Sequence, residues 1–116
     1  MSRPFEPLEN VERTALVLIK KQPFMDWLAT HGMKENISMI LRDPDIYLLP
    51  DFETHSEMES WLKKNYDQLF CDQMFQWFID ESYWVPNRSF ALFKEWFSYS
   101  LHTMVWDTET QPIEKN

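Results

Sequence analysis

Fourteen of the chain's nineteen aromatic residues lie between Trp61 and Trp106, five of its six tryptophans among them, whereas the first sixty residues hold only five aromatics. Large rings bury more apolar surface than any other side chains, so the second half must supply most of the core. Not every ring fits into it. From Asp80 to Phe97 (DESYWVPNRSFALFKEWF) charged and aromatic residues alternate too closely for all the rings to share one buried helix face. A core centred on the second half, with rings left at the surface near Tyr83 and Trp84, is the first expectation.

At 116 residues the chain makes one domain. A domain of this size buries roughly two-thirds of its unfolded surface and needs neither disulfide nor metal to fold. Its one cysteine, Cys71, excludes disulfide scaffolds and multi-cysteine zinc modules. Beside Phe70 in an apolar-periodic stretch, Cys71 reads as a buried structural thiol. Its one glycine, Gly32, cannot make a phosphate loop or a dinucleotide fingerprint. No cofactor and no metal site are expected. The formal charge is −8, and the only adjacent basic pairs are Lys20–Lys21 and Lys63–Lys64. Such a surface repels polyanions and anionic leaflets, so neither nucleic acid nor membrane is an expected partner. The longest apolar run, Ala15 to Ile19, has five residues, against about 20 for a membrane span. The acidic, proline-bearing start lacks the apolar stretch of a signal peptide. A cytoplasmic protein is expected.

Residues 1–10 carry two prolines and read as a flexible arm, and 108–116 as a disordered tail, leaving 11–107 as the folded domain. Residues 14–20 (TALVLIK) are apolar on both faces and predict a central strand. Pro23 at the first helical position and Gly32 after the last bound a helix over 23–31, with Phe24, Trp27, Leu28 and His31 on one face. One or two turns are expected around Ile37 to Leu41. Residues 45–49 (DIYLL), stopped by Pro50, predict a second strand. Thr54-x-x-Glu57 forms a capping box that opens a helical pattern over 55–80. Unbroken, that helix would be about 39 Å long, large for this domain, so a break near Asn65–Tyr66 or Cys71–Asp72 is expected. Asn87 or Ser89 caps a helix over 88–97. Trp77 and Phe93 fall at core positions of these two aromatic helices. Alternation over 99–107 predicts the third strand, with Tyr99, Leu101, Thr103 and Val105 on one face. Three short strands and intervening helices give an α+β fold with one small, helix-covered sheet.

Three groups could carry chemistry. Asp80 and Glu81, with Arg88 and the distant His102 and Asp107, could pair as acid and base or bind a divalent cation. They match no metal-ligand spacing, and the plainer reading is that Arg88 pairs with Asp80 or Glu81 across a turn. His102, in a strand, fits a packed residue as well as a general base; His31 and His55, at helix ends, rank below it. The aromatic cluster could wall a pocket, although most of its rings fall on helical core spacing.

The runs Asp80 to Phe97 and Leu101 to Asp107 (LHTMVWD), with the upstream Asp43 to Pro50 (DPDIYLLP), resemble a group of small, uncharacterised bacterial proteins. These carry a pattern close to D-E-x-x-W-P-x-N-R-x-x-x-L-F-x-x-W-F followed by H-S-M-V-x-D. Trp84, Asn87, Arg88, Trp96, Phe97, His102 and Asp107 fall in place. The proline stands at Pro86 rather than directly after the tryptophan, Ser98 replaces an acid, and Thr103 replaces a serine. The resemblance implies a bacterial cytoplasmic protein and no particular chemistry. Together the residues predict a non-enzymatic protein-interaction or regulatory module. It would bind a protein partner or a second copy through Tyr83, Trp84, Asn87 and Arg88. The alternative is an enzyme or small-ligand binder built on Asp80, Glu81, Arg88, His102 and Asp107.

Overall fold

The computed structural model describes residues 9–33, 43–109 and 111–112. In chain order the elements are β1 (Glu9–Asn10), β2 (Thr14–Lys20), α1 (Gln22–Thr30), β3 (Asp45–Leu49), α2 (His55–Phe75), a 3₁₀ turn (Glu81–Tyr83), α3 (Phe90–Trp96), β4 (Phe97–His102) and β5 (Trp106–Asp107). The turns expected around Ile37 to Leu41 lie outside the described residues.

The fold is α+β, and β2 is the centre of its sheet. It pairs antiparallel with β3 on one side and β4 on the other, in the order β3-β2-β4. Alternation assigns the faces. Leu16 and Leu18 of β2, Leu49 of β3 and Phe97 of β4 are buried against the helices. Ile46 and Leu48 of β3 and Ile19 of β2 point the other way and are exposed. The three described helices therefore cover one face. Phe24 and Leu28 of α1, Leu62, Phe70 and Met74 of α2 and Phe93 of α3 close the core above the sheet without exposure.

Helix α1 ends as its glycine predicts. Gly32, at φ 90°, donates to the Ala29 carbonyl and Met33 donates to that of Leu28. These are the two bonds of a Schellman motif, whose left-handed residue favours glycine. At the start, Lys21 is the N-cap and Pro23 is the second helical residue rather than the first.

Helix α2 corrects two expectations: it does not break at Asn65–Tyr66 or Cys71–Asp72, and it ends at Phe75 rather than residue 80. Its 21 residues span about 31 Å. The apolar stripe Met58, Leu62, Leu69, Phe70, Met74 runs through both suspected breaks and stays buried along its length. Asn65 does not disrupt it, because its side chain donates back to the Trp61 carbonyl at 2.8 Å. At the N-terminus the Thr54 hydroxyl accepts from Glu57 N, while the Glu57 carboxylate accepts from Glu53 N, one residue earlier than in a reciprocal capping box. Past Phe75 the chain turns, and Trp77 and Phe78 pack half-buried against the core. Phe93 is fully buried as expected, whereas Trp77 is only partly so.

The third helix begins at Phe90, with Ser89 as its cap accepting from Leu92 N at 3.0 Å, so Arg88 lies before the helix and not within it. Phe97 passes directly from helix into strand, two residues ahead of the expected start. The strand then stops at His102 instead of continuing to Asp107. Trp106 and Asp107 turn away and pair with Asn10 and Glu9 in a separate two-stranded ribbon, reinforced by Val11 N donating to the Val105 carbonyl at 2.6 Å. The end of the expected arm is thus ribbon at Glu9 and Asn10, while 1–8 lie outside the described residues.

Candidate functional site

An open-sided groove of about 520 Å³ lies between α1 and the segment from Ser82 to Pro86. Helix α1 supplies one wall because Pro23, Asp26, Trp27 and Thr30 recur at helical spacing along one side of it. Trp27 and Trp96 form the floor, 7% and 9% exposed, with ring centroids 6.3 Å apart. Tyr83 and Trp84 form the opposite wall, with His31 at one end.

Hydrogen bonds fix both walls. The Trp27 indole N–H donates to the Tyr83 carbonyl at 2.9 Å, tying α1 to the loop. The Trp84 indole N–H donates to the Phe78 carbonyl at 2.8 Å, closing the loop on itself. The loop's amides are also engaged. The Asp80 carboxylate accepts from Ser82 N, and the Asp80 and Glu81 carbonyls accept from Tyr83 N and Trp84 N. The bonds from Ser82 hold the Asp80 carboxyl below its usual range. His31 sits among rings, its centroid 5.1 Å from Tyr83, 5.4 Å from Phe78 and 5.7 Å from Trp27, all edge-on. Tyr83 keeps 46% of its surface exposed.

Of the four binding residues expected from sequence, Tyr83 and Trp84 line this groove, whereas Asn87 and Arg88 do not. Asn87 takes the left-handed conformation, φ 55°, at the turn before α3. Arg88 has a different partner from those expected. Its Nε donates to Asp67 of α2 at 2.6 Å and its Nη1 to the Val85 carbonyl at 3.0 Å. The ion pair is therefore with Asp67, not with Asp80 or Glu81, and it anchors the loop to α2. That carboxylate pushes the Arg88 pKa above its ordinary value. Cys71, one turn along from Asp67, has its thiol pKa raised, chiefly by burial, which disfavours the nucleophilic thiolate.

The five carboxylate, arginine and histidine candidates do not all converge: the charge of Glu81 reaches Arg88, but His102 and Asp107 lie elsewhere. His102 stands on the exposed side of β4 facing away from the helices, bonded to Ser100 at 2.8 Å, while Arg88 is bound to α2 on the helix-covered side. Asp107 belongs to the two-stranded ribbon and accepts from Glu109 N. Among the described residues no group of three or more His, Cys, Asp or Glu could hold a metal ion, and no helix is long and apolar enough to cross a membrane.

A second polar cluster joins α2 to the edge strand β3. The Tyr47 hydroxyl donates to Asp72 at 2.5 Å and accepts from Gln73 Nε2 at 2.8 Å. Gln73, fully buried, also donates to Asp45, whose carboxylate lies 3.8 Å from the buried Lys20 ammonium. Burial, then the bond to Asp72, drives the Tyr47 pKa well above that of a free phenol. These groups hold β3 in register and satisfy one another, apart from the Gln73 carbonyl oxygen.

Sequence reasoning missed Asp26, Trp27 and His31 as groove residues. Trp27 and His31 were legible only as core-side positions of α1, and nothing local pairs them with a loop more than fifty residues away. The signal that existed was the second stripe, Pro23–Asp26–Thr30, flanking the core stripe. Compared with protein-family models, curated proteins and solved structures, the chain matches none.

Proposed function

We propose that this chain is a protein-interaction module that receives a segment of a partner protein in the groove between α1 and Tyr83–Trp84. The observation that carries this reading is a preformed aromatic groove whose walls are held by two indole hydrogen bonds while Tyr83 stays half-exposed. Rigid, partly exposed Trp and Tyr side chains supply contact area at little entropic cost on binding, and such residues dominate interface energies. Among the described residues no hydrogen bond or ion pair joins Asp26 to His31, and no group of three or more His, Cys, Asp or Glu could hold a metal ion. The test is affinity capture with the wild-type chain, Tyr83→Ala and Ile46→Ser in parallel. A partner held by wild type and Ile46→Ser but lost by Tyr83→Ala supports the groove. A partner that Tyr83→Ala retains equally well rules the groove out as its site.

A second reading, self-association, is favoured by the open face of the sheet. Ile46 and Leu48 are 63% and 50% exposed there, beside Val17 and Ile19 of β2 and Ser98, Ser100 and His102 of β4. No Asp, Glu, Lys or Arg stands at these positions, so two copies of a chain with charge −8 could meet there without opposing carboxylates. Sedimentation velocity separates the readings: a dimer that Ile46→Ser dissociates supports this face, and a monomer at all concentrations rejects it.

A further inference from the structure

We infer that the segment bound in the groove is extended and basic, with an arginine or lysine side chain laid along the tryptophan floor and its charge beside Asp26. This inference rests on the groove being the binding site, and it names what the groove selects.

Three observations lead to it. The first is charge. Among the described residues Asp26 is the one Asp, Glu, Lys or Arg that lines the groove, and of its two oxygens only Oδ1 is engaged, accepting from Gln22 at 2.9 Å. The second is the state of the donors. The Trp27 and Trp84 indoles and the amides of Ser82, Tyr83 and Trp84 are already spent on internal acceptors. A phosphate or carboxylate would therefore find none of these N–H groups free and would face Asp26. A cation gains the carboxylate and the rings together, since ammonium and guanidinium groups are attracted to indole and phenol faces. Arginine suits the site better than lysine, because its planar, weakly hydrated head stacks on aromatic rings.

The third is length. From Pro23 to His31 the α1 wall runs for about 12 Å, which matches roughly four residues of extended chain at about 3.3 Å each. A single small cation would leave most of this trough empty. The bound segment would be short, extended, and cationic at one position, with apolar or proline neighbours over Tyr83 and Trp84.

The experiment is selection of a random displayed peptide library against the intact chain, followed by tryptophan-fluorescence titration of the selected peptides. Wild type, Asp26→Asn and Tyr83→Ala are compared, each first shown to melt as a folded protein. The expected result is a set of peptides sharing an Arg or Lys, whose affinity falls roughly five- to tenfold in Asp26→Asn. The fall should match that caused by replacing the peptide's arginine with neutral citrulline. Selected peptides that require Tyr83 but carry no basic residue, or that bind Asp26→Asn as well as wild type, overturn the charge inference and leave the groove standing. Peptides indifferent to Tyr83, or no selected peptide at all, overturn both.

Discussion

Two aromatic clusters both draw rings from α1 and its C-terminal end, yet they meet water differently. Phe24, Phe70, Phe93 and Phe97 are 0–1% exposed and pack at centroid distances of 5.1–6.1 Å. Phe78 and Tyr83, with His31 and Trp27, pack as closely, Phe78 to Trp27 at 5.4 Å and Tyr83 to Phe78 at 5.3 Å, and Trp84 flanks them in the groove wall. This second cluster is closed at Trp27 and half-open at Tyr83. The difference lies in the backbone beneath. The first set projects from helices and a strand onto the sheet. The second hangs on a 3₁₀ turn held by an aspartate cap and two indole bonds. Aromatic density alone therefore distinguishes no core from a groove. What distinguishes them is whether the rings' polar edges are used to shape a loop, as those of Trp27 and Trp84 are.

The sharpest way to break this comparison is to delete one ring from the closed cluster. Phe93→Ala should cost about 3–5 kcal/mol in chemical denaturation, because it opens a cavity between α2, α3 and the sheet where no water enters. A loss under about 1 kcal/mol would mean that the two clusters are equally accommodating and that the division is false.

Arg88 joins the two regions, and its deletion should be intermediate. It bonds Asp67 on the core helix and the Val85 carbonyl on the groove loop. Arg88→Ala should destabilise by roughly 1–2 kcal/mol, most of it through the released loop. The Asp67–Arg88 coupling in a double-mutant cycle should be smaller, about 0.5–1 kcal/mol, since the Asp67 side chain is 53% exposed. A coupling near zero would place the effect in the Val85 contact alone.

The polar cluster on the edge strand ties stability to alkaline pH. Burial and Asp72 raise the Tyr47 pKa above that of an unfolded tyrosine, about 10. The unfolded chain thus gives up its proton first, and stability present below about pH 10 is lost as pH climbs past it. Tyr99, raised by burial and by Glu59, adds to the same loss. Tyr47→Phe should be less stable at neutral pH yet lose less on going to alkaline pH. Identical alkaline slopes for the two proteins would show that Tyr47 ionises freely in the folded state.

Much of this architecture is written locally. The apolar run Thr14–Lys20 made β2 central, and Pro23 with Gly32 bounded α1, because each signal acts within a few residues of itself. Where expectations failed, a distant partner decided. Alternation from Tyr99 to Trp106 reads as one strand, but the strand has a neighbour only as far as His102, opposite Ala15; beyond it Trp106 and Asp107 find Asn10 and Glu9 instead. Helix α2 was expected to break on grounds of domain size, whereas its continuous buried stripe keeps it whole. Tyr83 and Trp84 stood out because charged residues bracket them too closely for their rings to share a buried helix face. Arg88 was placed in the site because it follows Tyr83 and Trp84, and its ion pair was expected with Asp80 or Glu81 across the turn; its partner is Asp67, on another element.

The smallest expected change in stability is the one that bears most on function. Tyr83 touches His31 and Phe78, but no hydrogen bond of its hydroxyl to another described residue is found, and nearly half of its surface is already in water. Its backbone, not its ring, receives the Trp27 indole, so Tyr83→Ala leaves the bond between α1 and the loop in place. The cost should stay below about 1 kcal/mol, as for other partly exposed side chains. Trp84→Ala is different, because it deletes the donor that closes the loop on Phe78 and part of the packing beneath it. It should destabilise by roughly 2–3 kcal/mol and so confuse folding with binding. The informative measurement is the pair of melting temperatures beside the pair of affinities for a selected peptide. A wild-type melt with lost binding for Tyr83→Ala means that the open cluster is a surface built for contact. A Tyr83→Ala melt as low as that of Trp84→Ala means that its ring supports the fold, and that the two clusters are parts of one core.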